Sequence, residues 1–385
     1  MILKRTFYSV GHGAFYVERF YGSDGSTPVF TAVFDCGCYN KPLFKSCQKR
    51  IIQRVHTAFS KGEKVDVLFL SHFHTDHING VETLINHCSV DKIVLPLFNE
   101  EEKVLLMAEN IIELDPNSDN VSDGIDWIIR SYNAIFSDAQ KLVFIEEESE
   151  DDSNQDIGDV FSEDISKTTG TIPSGKRLAL NGLNWEYIPV NSRLKESREK
   201  ELKKELKNSP VFGNLYVRGN DPDWRQFSDY VKQGHLTDLQ KVMKKVFNGN
   251  HNEYSMTVLS HRPEKCHQPC EKYCHKAIPN QNRYCTLNCL YMGDFDPKQG
   301  IDVMLKRYDD LRYVGMIQIP YHGSRHNHDD RLYTYPKVGI LSVDQQDNFN
   351  HPDSDVLQQI RAKHGIVIPV TENSVSEQVF RYDGI

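Results

Sequence analysis

The stretch Leu68–Gly80, LFLSHFHTDHING, decides how this chain is read. It sets His72, His74, Asp76 and His77 within six residues, directly after the apolar run VDVLFL at 65–70. A short apolar run rich in Val and Leu reads as a buried strand, so the histidines and the aspartate leave its end on a loop. Neutral imidazole and carboxylate are the side chains that bind zinc and similar divalent ions. Gly80, with apolar residues at Ile78, Val81, Leu84 and Ile85, predicts a helix just beyond. Loops held between a strand and a helix are where binding sites are commonly built. The plainer alternative is a polar loop whose histidines happen to cluster. It would place four candidate ligands in six positions of a chain that has only 16 histidines.

Composition bounds the rest. A chain of 385 residues holds one large domain or two smaller ones, and 39% apolar residues support a buried core. The net charge of −9 does not favour nucleic-acid binding over the whole surface, though it leaves a local basic groove open. No apolar run approaches the roughly 18 residues of a membrane span. The opening MILKRTF lacks the apolar centre of a signal peptide. The expectation is a cytoplasmic protein with no membrane partner. Nine cysteines are unevenly spread: Cys36, Cys38, Cys47 and Cys88, then five between Cys266 and Cys289. Without an export signal, that clustering favours metal binding over disulfides.

Working outward, residues 3–35 alternate as a pair of strands, LKRTFYSVGHGAFYVERF and PVFTAVFDCG, with a turn at Gly22–Pro28. The glycine-rich Val10–Gly13 turn lets backbone pass close to a ligand, and Asp35 ends the second strand. Residues 43–62 have helical spacing, and Val90–Leu97 reads as a strand. From 98 to 249 the character changes. Glu100–Glu113, Gly124–Phe136 and Asp223–Phe247 have helical spacing, Ser192–Leu206 reads as an exposed charged helix, and Glu146–Asp164 is an acidic, solvated run. The span 98–249 is therefore read as a mainly helical and acidic insertion. Strands resume at Asn252–Leu259, at Asn288–Met292 delivering Asp294, at Ile317–Tyr321 ending in His322, and at Lys337–Val343. A helix at Ser354–Lys363 and strands at Ile366–Thr371 and Gln378–Tyr382 follow.

The HxHxDH pattern at 72–77 is the signature of the metallo-β-lactamase superfamily, matched without a departure. The ordered series VGHG, FDCG, SHFHTDHING, NEYSMTV, LYMGDFD, IPYHGS and NHP is similar to the ComEC-type hydrolase domains and their free-standing relatives, over roughly residues 3–97 and 250–382. The resemblance implies an α/β, four-layer αβ/βα sandwich in two halves, 1–97 and 250–385, with a metal site at the edge between two sheets. It implies two divalent cations, Zn²⁺ or Mn²⁺. His72 and His74 would hold one, Asp76, His77 and His322 the other, and Asp294 would bridge both. Asp35 would support a ligating histidine, and His12 stands in the first glycine turn where relatives tend to have Gln. A further histidine ligand of fuller superfamily members, between His77 and Asp294, has no evident counterpart.

The chemistry implied is hydrolysis of phosphodiester bonds in nucleic acid or a nucleotide. Asp76 would orient a water or take its proton, Ser324 would contact phosphate, and His351 would contact substrate or leaving group. Loop packing is the alternative for Ser324 and His351, an ordinary turn for Asp35, a surface position for His12. Two other readings stand beside this one. The same fold could cleave an amide, lactone or thioester, or the chain could be a non-catalytic module that binds a protein partner through its insertions.

A second insertion, 261–289, contains CHQPCEKYCHKAIPNQNRYCTLNC. Cys266, Cys270, Cys274, Cys285 and Cys289 are separated by three, three, ten and three residues. Such thiolates suit a tetrahedral structural zinc, which folds a segment too small for its own core. Five cysteines exceed the four required, so one is spare or a histidine displaces one. Free thiols in a long loop are the alternative.

Overall fold

The computed structural model describes residues 1–39, 44–117, 121–148, 162–193, 199–216, 221–247, 254–263, 286–308, 311–335, 337–345 and 351–385. Two eight-stranded sheets run through it. The first joins β1 (Ile2–Phe7), β2 (Phe15–Tyr21), β3 (Pro28–Cys36), β4 (Lys64–Phe69), β5 (Ser89–Pro96), β6 (Leu142–Ile145), β8 (Gly170–Ile172) and β16 (Gln378–Asp383). The second joins β7 (Glu163–Asp164), β9 (Leu178–Ala179), β10 (Glu186–Arg193), β11 (Tyr254–His261), β12 (Cys289–Tyr291), β13 (Met316–Gln318), β14 (Val338–Ser342) and β15 (Ile366–Val370). Helices α1 (Phe44–Ala58), α2 (Thr75–Ile78), α3 (Val81–His87), α4 (Glu100–Ile112), α5 (Val121–Ile135), α6 (Glu199–Asn208), α7 (Trp224–Tyr230), α8 (Leu236–Phe247), α9 (Pro297–Arg307) and α10 (Ser354–Ala362) flank them.

Strand β4 shows why the layers form. Val67 and Phe69 face the core between the sheets, while Val65 and Leu68 face a second core under helices α1, α3, α4 and α5. A strand covered on both faces has little polar side to present, hence the apolar run Val67–Leu70, with Asp66 near its start occupied by Thr31 N and Lys64. On the second sheet, Cys289 and Tyr291 of β12 face inward, while Leu290 packs with Ile301 and Met304 of α9 and Ile360 of α10. This mixed α/β architecture of helices, two sheets and helices is consistent with the metallo-β-lactamase fold. No helix among the described residues is long and apolar enough to cross a membrane.

Between the sheets lies a buried ion pair. Arg5 of β1 and Glu18 of β2 are cross-strand partners, 2.7 Å apart and fully buried. Arg5 also donates to the carbonyls of Thr286 and Leu287, and Glu18 accepts from Tyr187, Ser260 and Tyr291 of the opposite sheet. Buried charges are tolerable only when paired and hydrogen-bonded in this way.

Several expectations are corrected. Residues 3–35 form three strands, because Gly11 (φ 76°) and Gly13 (φ 126°) reverse the chain inside the first stretch. The span 98–249 is not an inserted helical region alone, since β6 and β8 extend the first sheet and β7, β9 and β10 belong to the second. Strand β10 pairs along its whole length with β11, burying Tyr187 between the sheets and Ile188 and Val190 beneath the outer layer. The Asp223–Phe247 helix breaks at Gly234 (φ 111°) into α7 and α8. Ser192 lies in β10, and the described part of the charged helix is α6, Glu199–Asn208. Most of the acidic run, 149–161, lies outside the described residues, while Glu148 accepts from Arg307 at 2.7 Å. Cys38 and Cys47 form a disulfide with Cα atoms 6.0 Å apart, against the preference for metal over disulfides. The turn after β3 carries Cys38 over the start of α1, where Cys47 lies.

Candidate metal centre

The parallel strands β3, β4, β12 and β13 bring their carboxyl ends together, the edge at which α/β sheets present their sites. Asp35, near the end of β3, has φ 51°, a left-handed conformation uncommon for residues other than glycine and most often met in Asn, Asp and His. Its carboxylate accepts from Ser71 N and Ser71 Oγ, both at 2.7 Å, and from His77 Nδ1 at 2.8 Å. Because the Ser71 hydroxyl proton goes to Asp35, its oxygen accepts from His72 Nδ1 at 2.9 Å. His322 Nδ1 donates to the carbonyl of Ser342 at 2.8 Å. In a neutral ring each of these bonds fixes the proton on Nδ1 and leaves the Nε2 lone pair to point inward.

Those inward atoms meet. Asp76, His77, Asp294 and His322 each offer a ligand atom within 4.8 Å of the others, and so do His72, His74 and Asp294. Asp294 belongs to both groups. His77 Nε2 lies 3.6 Å from Asp76 and 3.5 Å from Asp294, and His322 Nε2 lies 3.4 and 3.6 Å from the same two carboxylates. His72 Nε2 is 3.8 Å from Asp294. The Nε2 atoms of His72, His77 and His322 are buried without a hydrogen-bond partner. Their separations exceed hydrogen-bond length but approach the edge, about 3.3 Å, of a tetrahedron of nitrogen ligands around zinc. The donor set fits a divalent cation.

The electrostatics are tightly opposed. Burial disfavours a charged His77, yet Asp76, Asp35 and Asp294 raise it well above its usual value. Burial works against charge on Asp76 and Asp294 too, but His77 and His322 hold both carboxyls below the usual range. Burial, then the neighbouring His77, keeps His72 well below its usual value.

Local structure aims each group. Tyr321 and His322 both have φ 52°, and three of the four described non-glycine residues with positive φ (Asp35, Tyr321 and His322) lie at this centre. Strain of that kind gathers at functional sites. Gln318 accepts from Met292 N at 2.7 Å and donates to Gly293 O at 3.1 Å, which fixes the turn bearing Asp294. Gly293 (φ 52°) leaves room for Ser71, because a Cβ there would lie 2.3 Å from Ser71 Oγ.

The remaining expected residues fall as follows. His12 is buried with its ring centroid 3.6 Å from that of His322 and 6.3 Å from that of His351. It stands against the ring of His322 and outside both ligand groups. His351 extends this row of imidazoles. Ser324 is buried, and its hydroxyl accepts from His326 N at 3.3 Å, capping a short turn. Cys266, Cys270, Cys274 and Cys285 lie outside the described residues. Cys289 is corrected: its thiol is in the inter-sheet core near Arg5 and Tyr291, pushed up to about 12 by burial, and serves packing.

Sequence reasoning missed Ser71, Gln318, Ser342 and Glu109, whose carboxylate is 3.7 Å from His74 Nε2. A readable signal existed for one of them. In the apolar stretch VLLMAENII of α4, Glu109 and Asn110 interrupt positions that should be buried, and both are.

Residues 31–123 match the metallo-beta-lactamase superfamily, from β3 to the start of α5. The match takes in Asp35 and His72–His77 and stops short of Asp294 and His322. No curated protein matches the chain. The crystal structure of unliganded yeast PDE1 is similar at 8% identity and a TM-score of 0.38, covering 99% of this chain and 100% of that one. That likeness is too distant to argue from. The family match over the first ligand loop and the buried His/Asp cluster support a metal-dependent hydrolase.

Proposed function

We propose that this chain is a two-metal hydrolase, using Zn²⁺ or Mn²⁺, that cleaves phosphodiester bonds in nucleic acid or a nucleotide. The observation that carries the reading is Asp294, shared between the Asp76/His77/His322 group and the His72/His74 group. A bound pair of divalent cations supplies charge neutralisation and a water of lowered pKa, as in phosphatases and nucleases. The chain's own residues do the rest. Asp35 holds His77 directly and His72 through Ser71, and the Ser342 carbonyl holds His322. Asp76 orients the attacking water and takes its proton.

His351 meets the substrate or leaving group, at the end of the imidazole row. The Ser324 hydroxyl, an acceptor from His326 N, keeps its own proton to offer a phosphate oxygen. The similarity of IPYHGS at 319–324 to ComEC-type domains favours phosphodiesters, and the net charge of −9 favours a short substrate over long DNA. The proposal retains a structural zinc on Cys266, Cys270, Cys274 and Cys285, and a cytoplasmic setting.

The test is to measure bound metals by mass spectrometry. Zn²⁺- and Mn²⁺-supported turnover of single- and double-stranded DNA, RNA, cyclic nucleotides, a lactone and a thioester is then assayed beside Asp76→Ala and Asp294→Ala. Phosphodiester cleavage lost in both variants is expected. Cleavage surviving in both, or turnover of only the lactone or thioester, would overturn the proposal.

A further inference from the structure

We infer that Glu109 of α4 is the positioning residue for His74, and that this helix thereby sets the affinity of the cation held by His72 and His74. The inference rests on the proposal that those histidines hold a cation. The other three histidines each have their outer nitrogen anchored close by: His77 on Asp35, His72 on Ser71, and His322 on the Ser342 carbonyl. His74 has no such anchor within its own loop among the described contacts. What faces it is Glu109 Oε2, 3.7 Å from His74 Nε2, on a side chain only 3% exposed.

Glu109 belongs to neither ligand group, so it stands behind His74 and not among the ligands. Its neighbour acts on the same loop. Asn110 Nδ2 donates to the carbonyl of Phe73 at 2.6 Å, the residue between His72 and His74, and to Leu106 O at 2.9 Å. One turn of α4 thus sets a carboxylate 3.7 Å from the ring and holds the backbone of the ligand loop by a hydrogen bond. A carboxylate among Leu105, Met107, Ala108 and Ile111 is costly to bury unless it has an electrostatic task. A carboxylate behind a ligating imidazole fixes its tautomer, here leaving Nδ1 as donor, and raises its basicity. The residue lies in the span that the ComEC-type resemblance leaves unmatched, and on a chain whose histidines between His77 and Asp294 offer no evident counterpart to the further ligand of fuller superfamily members.

The experiment titrates the full chain with Zn²⁺ against a competing chelator, and records the visible spectrum of the Co²⁺-loaded form. Glu109→Gln and Glu109→Ala are compared with Glu102→Gln, a second buried glutamate of α4 whose cap bond to Asn99 N glutamine preserves. The expected result is an affinity about 10- to 100-fold lower for one of two cations, larger in the alanine variant. The cobalt bands should shift with it, and Glu102→Gln should behave as wild type. Folded Glu109 variants with wild-type affinities and cobalt spectrum would overturn the inference and leave the proposed function standing. The same loss in Glu102→Gln would also overturn it, assigning the effect to helix packing. Wild-type chain that binds no cation would overturn the proposed function first.

Discussion

Asp294 faces both ligand groups, so removing its carboxylate acts on each of them, whereas Asp76 belongs to one. Asp294→Ala should empty both positions in a metal analysis, and Asp76→Ala only one. Losing a ligand costs several kcal/mol of charge stabilisation, so turnover of a phosphodiester should fall by roughly a thousandfold or more in either variant. Asp35→Asn tests the support behind the ligands. It keeps an acceptor but loses the charge facing His77 and Ser71, and Zn²⁺ affinity by chelator competition should drop about 10- to 100-fold. At this scale the chain is legible where function is compressed into a few consecutive positions. His72, His74, Asp76 and His77 announce themselves because all four lie on one loop. Asp294 and His322 need the resemblance, since each is a single residue after a strand. Ser71, Gln318 and Ser342 stay hidden because their work depends on partners brought in from other strands.

Among the elements, the turn after β12 must pass Ser71 with φ 52° at Gly293. Gly293→Ala should therefore cost about 2 kcal/mol or more, from a left-handed alanine and the contact with Ser71. Urea unfolding measures the loss, and metal content should fall with it because Asp294 is the next residue. Long or strongly patterned elements were readable: β4, β5, α4 and α10 lie within a residue or two of where apolar spacing puts them. Strands β6 to β9 were not, because runs of two to four residues carry too little periodicity to be told from loop. They gain their register from the neighbours they pair with. The disulfide between Cys38 and Cys47 escaped for a similar reason, since it follows from the turn after β3 and not from the cysteine spacing.

In the molecule as a whole, two devices join the sheets. The buried Arg5–Glu18 pair is one, and Glu18→Gln should destabilise the chain by about 3–5 kcal/mol in denaturant unfolding. The double change Arg5→Met, Glu18→Leu should recover much of that loss, because no lone buried charge remains. The metal centre is the other. Cation present at a hundred times its dissociation constant adds about 2.7 kcal/mol to stability. A chelator should lower the melting midpoint of the wild type and leave that of Asp294→Ala unmoved.

The candidate ligands come from both sheets: His72–His77 follow β4, while Asp294 and His322 follow β12 and β13. During synthesis the histidine-rich loop emerges early and must wait for residues made much later, down to the Ser342 carbonyl that anchors His322. A nascent chain halted before that point lacks the support that holds His322 toward the Asp76/His77/Asp294 group. On the proposed function, filling both cation positions is a late event in the life of each molecule, and a copy terminated before Asp294 carries the signature loop without the carboxylate that both groups share.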